Sequence, residues 1–402
     1  MDRLAAALRR SGVKRDDVVL VQLPNVGELA LAYLACLQVG AIACPLPVQY
    51  RGRELSEQSK DVDPTAFVTA ERMGDQRLVD LAVGLERERP GLAVLAFGDA
   101  LPEGVVAFDA EPPAAPGRWA EVDANAVFTI CWTSGTESFA KGCPRTHNDW
   151  QFIACCTVDG VELTHADVLL CPFPMVNMAG LGGMLVPWLV AGCSLAMHQP
   201  FDVATFLKQV AVERITYTVA PPALLNMLLA RDEILAHADL SSLRAIGSGS
   251  APLTPWMVRG WKDKHGLDVT NFFGSNEGVA LLGTPKDIPD PDERALYFPR
   301  YDAPGATWAG RVPQAFRTRL CDLETGEALA APGRAGELRI KGPTVFSGYW
   351  HAKERGLEGA FDDEGWFRTG DVFELAGDGD RGRYYRFVDR CKDIINRSTA
   401  AA

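Results

Sequence analysis

The chain has 402 residues, more than one hydrophobic core usually organises, and its 47% hydrophobic and 23% charged side chains give an ordinary globular composition. A net charge of −12 argues against nucleic acid or an anionic membrane as the main partner, because both reward clustered Lys and Arg. The nearest basic cluster, Arg9, Arg10, Lys14 and Arg15, is closed off at once by Asp16 and Asp17.

The ten cysteines are scattered and none forms Cys-x-x-Cys, which points to reduced, mostly buried thiols in a cytoplasmic protein rather than a disulfide framework or zinc site. The first ten residues predict an amphipathic helix, not a signal peptide. The longest apolar stretches are interrupted by Gln38, Gly40, Pro187 and Gly192, so no membrane span is expected.

Along the chain, strand and helix patterns alternate. Residues 18–23 predict a buried strand, 26–39 a helix ended by Gly40, and 41–46 the next strand. Further apolar runs at 66–69, 93–97, 168–171, 194–197 and 217–220 predict strands with helices between several of them. This is an α/β fold with mostly parallel sheets. From about Ala306 shorter segments rich in Gly and charge follow, including 336–340 and 384–388, and predict a small antiparallel β-unit. Residues 112–116 form the clearest Pro/Ala-rich loop.

The segment Thr133-Ser-Gly-Thr-Glu-Ser-Phe-Ala-Lys141-Gly142 follows an apolar strand and combines hydroxyls, glycines and a lysine. Gly135 and Gly142 allow backbone N–H groups to approach an anion. Thr133, Ser134 and Thr136 add hydroxyl donors, and Lys141 adds a positive charge. A polyphosphate loop and a polar surface turn share this composition. Two other phosphate motifs are excluded. Lys141 precedes Gly142 and Cys143, unlike a P-loop, and Pro252 stands where a dinucleotide fingerprint starting at Gly247 needs its third glycine.

Downstream come Asn271-Phe-Phe-Gly-Ser-Asn-Glu277-Gly278, Gly336-Glu-Leu-Arg-Ile-Lys-Gly-Pro343, Gly348-Tyr-Trp350, Trp366-Phe-Arg-Thr-Gly-Asp371 and Asp389-Arg-Cys-Lys-Asp-Ile394. With the opening loop, this ordered series resembles the adenylate-forming (ANL) superfamily, which includes acyl- and aryl-CoA ligases, carrier-protein-loading adenylation domains and luciferases. The resemblance spans nearly the whole chain. It implies the large N-terminal domain of such enzymes, residues 1–391 in approximate parts 1–170, 171–305 and 306–391, followed by a hinge at Lys392. Residues 392–402 are expected to be that hinge and a truncated tail, with the small C-terminal domain and its catalytic lysine absent.

The resemblance also implies site residues. Lys141, Glu277 and Thr136 are expected to act in catalysis, with Glu277 holding magnesium beside triphosphate oxygens. Thr133, Ser134, Gly135, Thr136, Lys141, Gly249, Ser250, Ala251, Asn271, Phe272, Phe273, Gly274, Asn276, Asp371, Arg386 and Arg390 are expected to bind ATP or AMP. Phe273 is expected against the adenine, core packing being its alternative, and Asp371 and Arg390 at the ribose. Asn177, Met178, Ser248, Gly249, Phe272, Gly274 and Ala280 are expected in the acid pocket. Asn177 stands where aryl-acid-activating members carry an asparagine, and fastening a loop is its other role.

Departures are Glu137 and Ser138 for the usual Thr-Gly, Ala140 for proline, Asn276 for threonine and Asp389 for glycine. The implied activity is ATP-dependent activation of an aryl or cyclic carboxylic acid to an acyl-adenylate, then thioester formation with CoA. A carrier-protein thiol is the alternative acceptor, and a degenerate nucleotide-binding protein the alternative of another class. A homodimer stays open.

Overall fold

Val18–Gln22 (β1) is apolar at four of five positions and buried along its whole length, the pattern of a strand covered on both faces. The computed structural model describes residues 1–108, 118–133 and 140–393, the side chains of Val279 and Ala280 excepted. The Pro/Ala-rich loop 112–116, the centre of the 133–142 segment and the tail after 393 lie outside the described residues.

β1 lies in a sheet with β2 (Ile42–Pro45), β3 (Ala66–Ala70), β4 (Ala93–Phe97), β5 (Val106–Ala107), β6 (Val127–Trp132) and β7 (Gly142–Thr146), ordered β5-β4-β3-β1-β2-β6-β7. All pairs in it are parallel except β6–β7. The helix expected at 26–39 is Gly27–Val39, and Gly40 ends it at φ 82°, a left-handed conformation that glycine takes without steric cost. The amphipathic opening helix is Asp2–Arg10.

A second sheet holds β8 (Val168–Cys171), β9 (Ser194–Met197), β10 (Tyr217–Val219), β11 (Ala245–Gly249), β12 (Asp268–Ser275) and β13 (Gly278–Gly283), ordered β13-β12-β11-β10-β8-β9. Its one antiparallel pair is β12–β13. One face packs against the helices Val203–Val212, Pro222–Leu229 and Pro255–His265 around Leu224, Met257 and Trp261. The other joins the main core through Tyr217 and Leu281, together with the helix His147–Gly160 and its Trp150 and Ile153.

A third sheet is antiparallel throughout: β14 (Tyr297–Pro299), β15 (Arg317–Cys321), β16 (Ala328–Leu329), β17 (Gly336–Lys341), β18 (Phe367–Leu375) and β19 (Tyr384–Arg390). It begins before the expected change of texture at Ala306, because Tyr297–Pro299 pairs with β19, with Tyr297 opposite Arg386. Its aromatic face, with Phe346, Phe367 and Phe373, belongs to the same core as the first sheet. No helix among the described residues is long and apolar enough to cross a membrane.

Candidate active site

β6 and β7 pair at Trp132↔Gly142, so the segment between them starts and ends at one point. The Thr133 N–H donates to the Lys141 carbonyl at 3.0 Å, and the Lys141 N–H donates to Thr133 Oγ1 at 3.2 Å. Ser134, Gly135 and Thr136 fall outside the described residues. What the fold fixes is the base of the loop and its lysine.

A strap between β17 and β18 meets that base. Its Trp350 N–H donates to the Gly142 carbonyl at 2.8 Å, and its Phe346 N–H donates to the Glu277 carbonyl at 2.9 Å. A Cβ on Gly142 would stand 3.0 Å from Ile130 Cγ2 and 3.1 Å from Trp350 Cβ, so glycine is what lets the strap lie this close. Between these anchors Tyr349 Oη donates to Glu277 Oε1 at 2.9 Å, and Lys141 Nζ stands 5.4 Å from the centroid of the same ring. Tyr349 lies in the Gly348-Tyr-Trp350 motif, which carries no sign of this role; the fold shows it, with Gly348 at φ 131° turning the strap just before the ring.

The turn that carries Glu277 is fastened from three sides. Asn276 Nδ2 donates to the Trp132 carbonyl at 2.8 Å, and its Oδ1 accepts from the Met178 N–H at 2.9 Å. Arg145 Nε donates to the Asn276 carbonyl at 2.9 Å, its Nη2 reaches the same oxygen, and Nη1 donates to the Thr344 carbonyl at 2.8 Å. Arg145 is fully buried, with Asp149 3.8 Å away, and such a cation persists only where its donors are satisfied. Its role was not read from the sequence. An arginine inside the otherwise uncharged strand Gly142–Thr146 is the signal that could have found it.

Asp371 lies on β18 opposite Arg390 of β19, with Arg390 Nε 3.4 Å from Asp371 Oδ1. Its backbone N–H donates to Thr369 Oγ1 at 3.1 Å, and Thr369 Oγ1 donates to the Leu338 carbonyl at 2.6 Å. Burial pushes the Asp371 carboxyl up to about 6. Glu277 and Glu337 add to the rise, while Arg390 and Lys392 oppose it. The structure therefore brings Lys141, Asn276, Glu277, Asp371, Arg390 and Lys392 into one electrostatic neighbourhood.

The other expected nucleotide residues have contacts of their own. Asn271 is buried and its Nδ2 donates to the Arg294 and Ala295 carbonyls at 3.2 and 3.3 Å. Phe273 packs its ring 4.9 Å from Phe373 and 5.9 Å from Phe298, the core-packing alternative. Arg386 donates from Nε to Glu374 Oε1 at 2.7 Å, across the hairpin from the cluster. Ser250, at φ 66°, and Ala251 are exposed where β11 ends.

Among the expected acid-pocket residues, Gly249 and Phe272 are register partners, and a Cβ on Gly249 would lie 2.2 Å from the Phe272 carbonyl oxygen. No other residue fits there. Phe272 is half-buried and Gly274 is exposed at a register shift in the β12–β13 pair. Met178 is buried beside Asn276. Ser248 turns away, its Oγ donating to the Ala220 carbonyl at 2.8 Å. Asn177 caps the short helix Met178–Gly180, its side chain accepting the Gly180 N–H at 3.2 Å, so its oxygen fastens a loop and its amide N–H groups remain as donors. Ala280 lies on β13, its side chain outside the described residues.

Among the described residues no three His, Cys, Asp or Glu side chains form a metal cage. The single half-buried carboxylate of Glu277 fits a magnesium ion bound mostly by phosphate oxygens and water, since that ion keeps several of its waters.

Comparison with known proteins agrees with this architecture. The family model described as AMP-binding enzyme matches residues 1–350. The indoleacetate–CoA ligase of Aromatoleum aromaticum is 30% identical over 404 residues, covering 98% of this chain and 72% of the relative. A feruloyl-CoA synthase from Amycolatopsis sp is 29% identical over 399 residues, covering 98% and 72%. The crystal structure of ATP-bound MatB from Rhodopseudomonas palustris matches with a TM-score of 0.77 at 26% identity, over 98% of this chain and 72% of that one. With the family model spanning most of its length, the chain belongs to the AMP-binding enzymes of the adenylate-forming superfamily, and its sheets are those of their large N-terminal domain.

Proposed function

We propose that the chain activates an aryl or cyclic carboxylic acid with ATP, forming an acyl-adenylate and pyrophosphate, and passes the acyl group to CoA. The observation that carries this reading is the meeting of Lys141, Tyr349 and Glu277, drawn from three sheets, beside Asp371. CoA as acceptor, rather than a carrier-protein thiol, is supported by the CoA ligases among the relatives. The adenylating unit comprises residues 1–391, with Lys392 as its hinge.

In this reading the acid needs no general base, because a carboxylate is already ionised at neutral pH. Its oxygen attacks the α-phosphorus in line, so the protein contributes position and charge. Lys141 and the base of its loop hold the departing pyrophosphate. Glu277, oriented by Tyr349, would hold magnesium, and that ion when bound neutralises phosphate charge. Asp371 accepts from the ribose hydroxyls and Arg390 keeps its carboxylate in place. A reducing, cytoplasmic setting is supported by ten free cysteines, nine of them buried.

The test is ATP–pyrophosphate exchange over a panel of aryl and cyclic acids. Lys141→Ala and Glu277→Gln should each lower exchange about a hundredfold, the scale of one preorganised charge-stabilising group. Wild-type rates in both variants would overturn the assignment.

A further inference from the structure

Tyr217 opens β10, and its hydroxyl is buried with no hydrogen-bond partner among the described residues. A tyrosine that deep ordinarily finds a partner for its O–H. Its position in the sheet says what could supply one. Tyr217 pairs with Ala245 and Val219 with Gly247, while Gly249 pairs with Phe272. By the period of two along a strand, Tyr217, Val219, Gly247, Gly249 and Phe272 share one face. That face holds the expected acid-pocket residues Gly249 and Phe272. The opposite one holds Ser248, whose hydroxyl is satisfied.

The hydroxyl occupies the room that Gly247 leaves. A Cβ there would stand 2.5 Å from Tyr217 Oη, 2.9 Å from Phe272 Cε2 and 2.9 Å from Val219 Cγ2. So the oxygen lies between a glycine, the edge of a half-buried phenylalanine and Val219, within the main core. Gly247 is two residues nearer the start of β11 than Gly249, about 7 Å deeper along the strand. Ligands of open parallel sheets sit at the carboxyl ends of the strands, which puts a substrate's reacting end near Gly249 and its far end toward Tyr217.

We propose that the Tyr217 hydroxyl is the specificity group at the floor of the acid site, where it pairs with a hydrogen-bonding substituent at the far end of an aryl acid, such as a phenolic hydroxyl. Phe272 is the wall that moves to admit the ring. This rests on the acid-activating function above.

The test uses matched acids differing by one para hydroxyl, such as phenylacetic and 4-hydroxyphenylacetic or cinnamic and 4-hydroxycinnamic acid. Binding is read by calorimetry and turnover by pyrophosphate exchange. The wild type should favour the hydroxylated member, and Tyr217→Phe should cut that preference about tenfold. Because the hydroxyl has no partner among the described residues, Tyr217→Phe should leave the unliganded melting temperature unchanged or raise it. A preference that does not move, with exchange intact, overturns the inference alone. A lowered melting temperature also overturns it, by showing that an ordered water already satisfies the hydroxyl. If no acid of any pair binds or drives exchange, the acid-activating function falls and takes the inference with it.

Discussion

The two ends of the site are built differently. The proposed phosphate end, around Lys141 and Glu277, is assembled from distant segments: Arg145 reaches Asn276 and Thr344, and Tyr349 reaches Glu277. The proposed nucleoside end is local, with Asp371 and Arg390 as cross-strand neighbours of one β-hairpin. Distant segments must be fastened by buried polar contacts, whereas a hairpin places its pairs through register alone. The first arrangement makes geometry depend on global stability. The second makes it depend on charge.

Arg145→Met breaks the first arrangement most directly. It leaves the buried Asn276 and Thr344 carbonyls without their donor, and should lower the unfolding free energy by about 3 kcal/mol in urea denaturation. A loss under about 1 kcal/mol would show that the Glu277 turn does not depend on it.

Asp371→Asn probes the second. It should weaken ATP binding about tenfold, as removal of a charged acceptor does, without a comparable loss of stability. The pH dependence sharpens this, because the Asp371 carboxyl is raised from 3.8 to about 6 by burial first, and by Glu277 and Glu337 after it. The folded chain holds a proton that the unfolded chain releases between these values. Stability from this group is therefore fully present below 3.8 and is lost as the pH rises to about 6. Nucleotide affinity should run the other way, rising through about pH 6 in the wild type and staying flat in Asp371→Asn. Titration by calorimetry from pH 5 upward, roughly the range around that value, separates the two curves.

Tyr349→Phe keeps the ring beside Lys141 and removes only the hydrogen bond to Glu277. The magnesium concentration for half-maximal exchange should rise about fivefold, equivalent to about 1 kcal/mol. Arg386→Ala should do least. Its ion pair with Glu374 is half-exposed, and denaturation and nucleotide binding should change by under about 0.5 kcal/mol.

Much of this was legible in the sequence, because buried parallel strands such as β1 are continuous apolar runs and helices such as Gly27–Val39 end in glycine. The motif order also marked segments that the fold brings together around Glu277 and Asp371. It does not tell which face each neighbour within them takes. Asn271 and Phe273 alternate with Phe272 along β12, so a pleated strand turns their side chains to opposite faces. Ser248 and Gly249 divide in the same way on β11. Motif letters carry no sign of face, and face is decided by pairing with strands far away in the chain. Arg145 and Tyr349 escaped for a related reason: their partners lie 131 and 72 positions away.

The strap ending at Trp350 rests on the helix Gly52–Val62 of the first sheet's region, where the Trp350 indole N–H donates to the Asp61 carbonyl at 3.2 Å across 289 positions of chain. Contacts this remote in sequence close only after the intervening segments are in place. During synthesis, the Lys141 loop is therefore made long before the residues that brace it. The first sheet can form early, but the base of its Lys141 loop has to wait for the third to brace it.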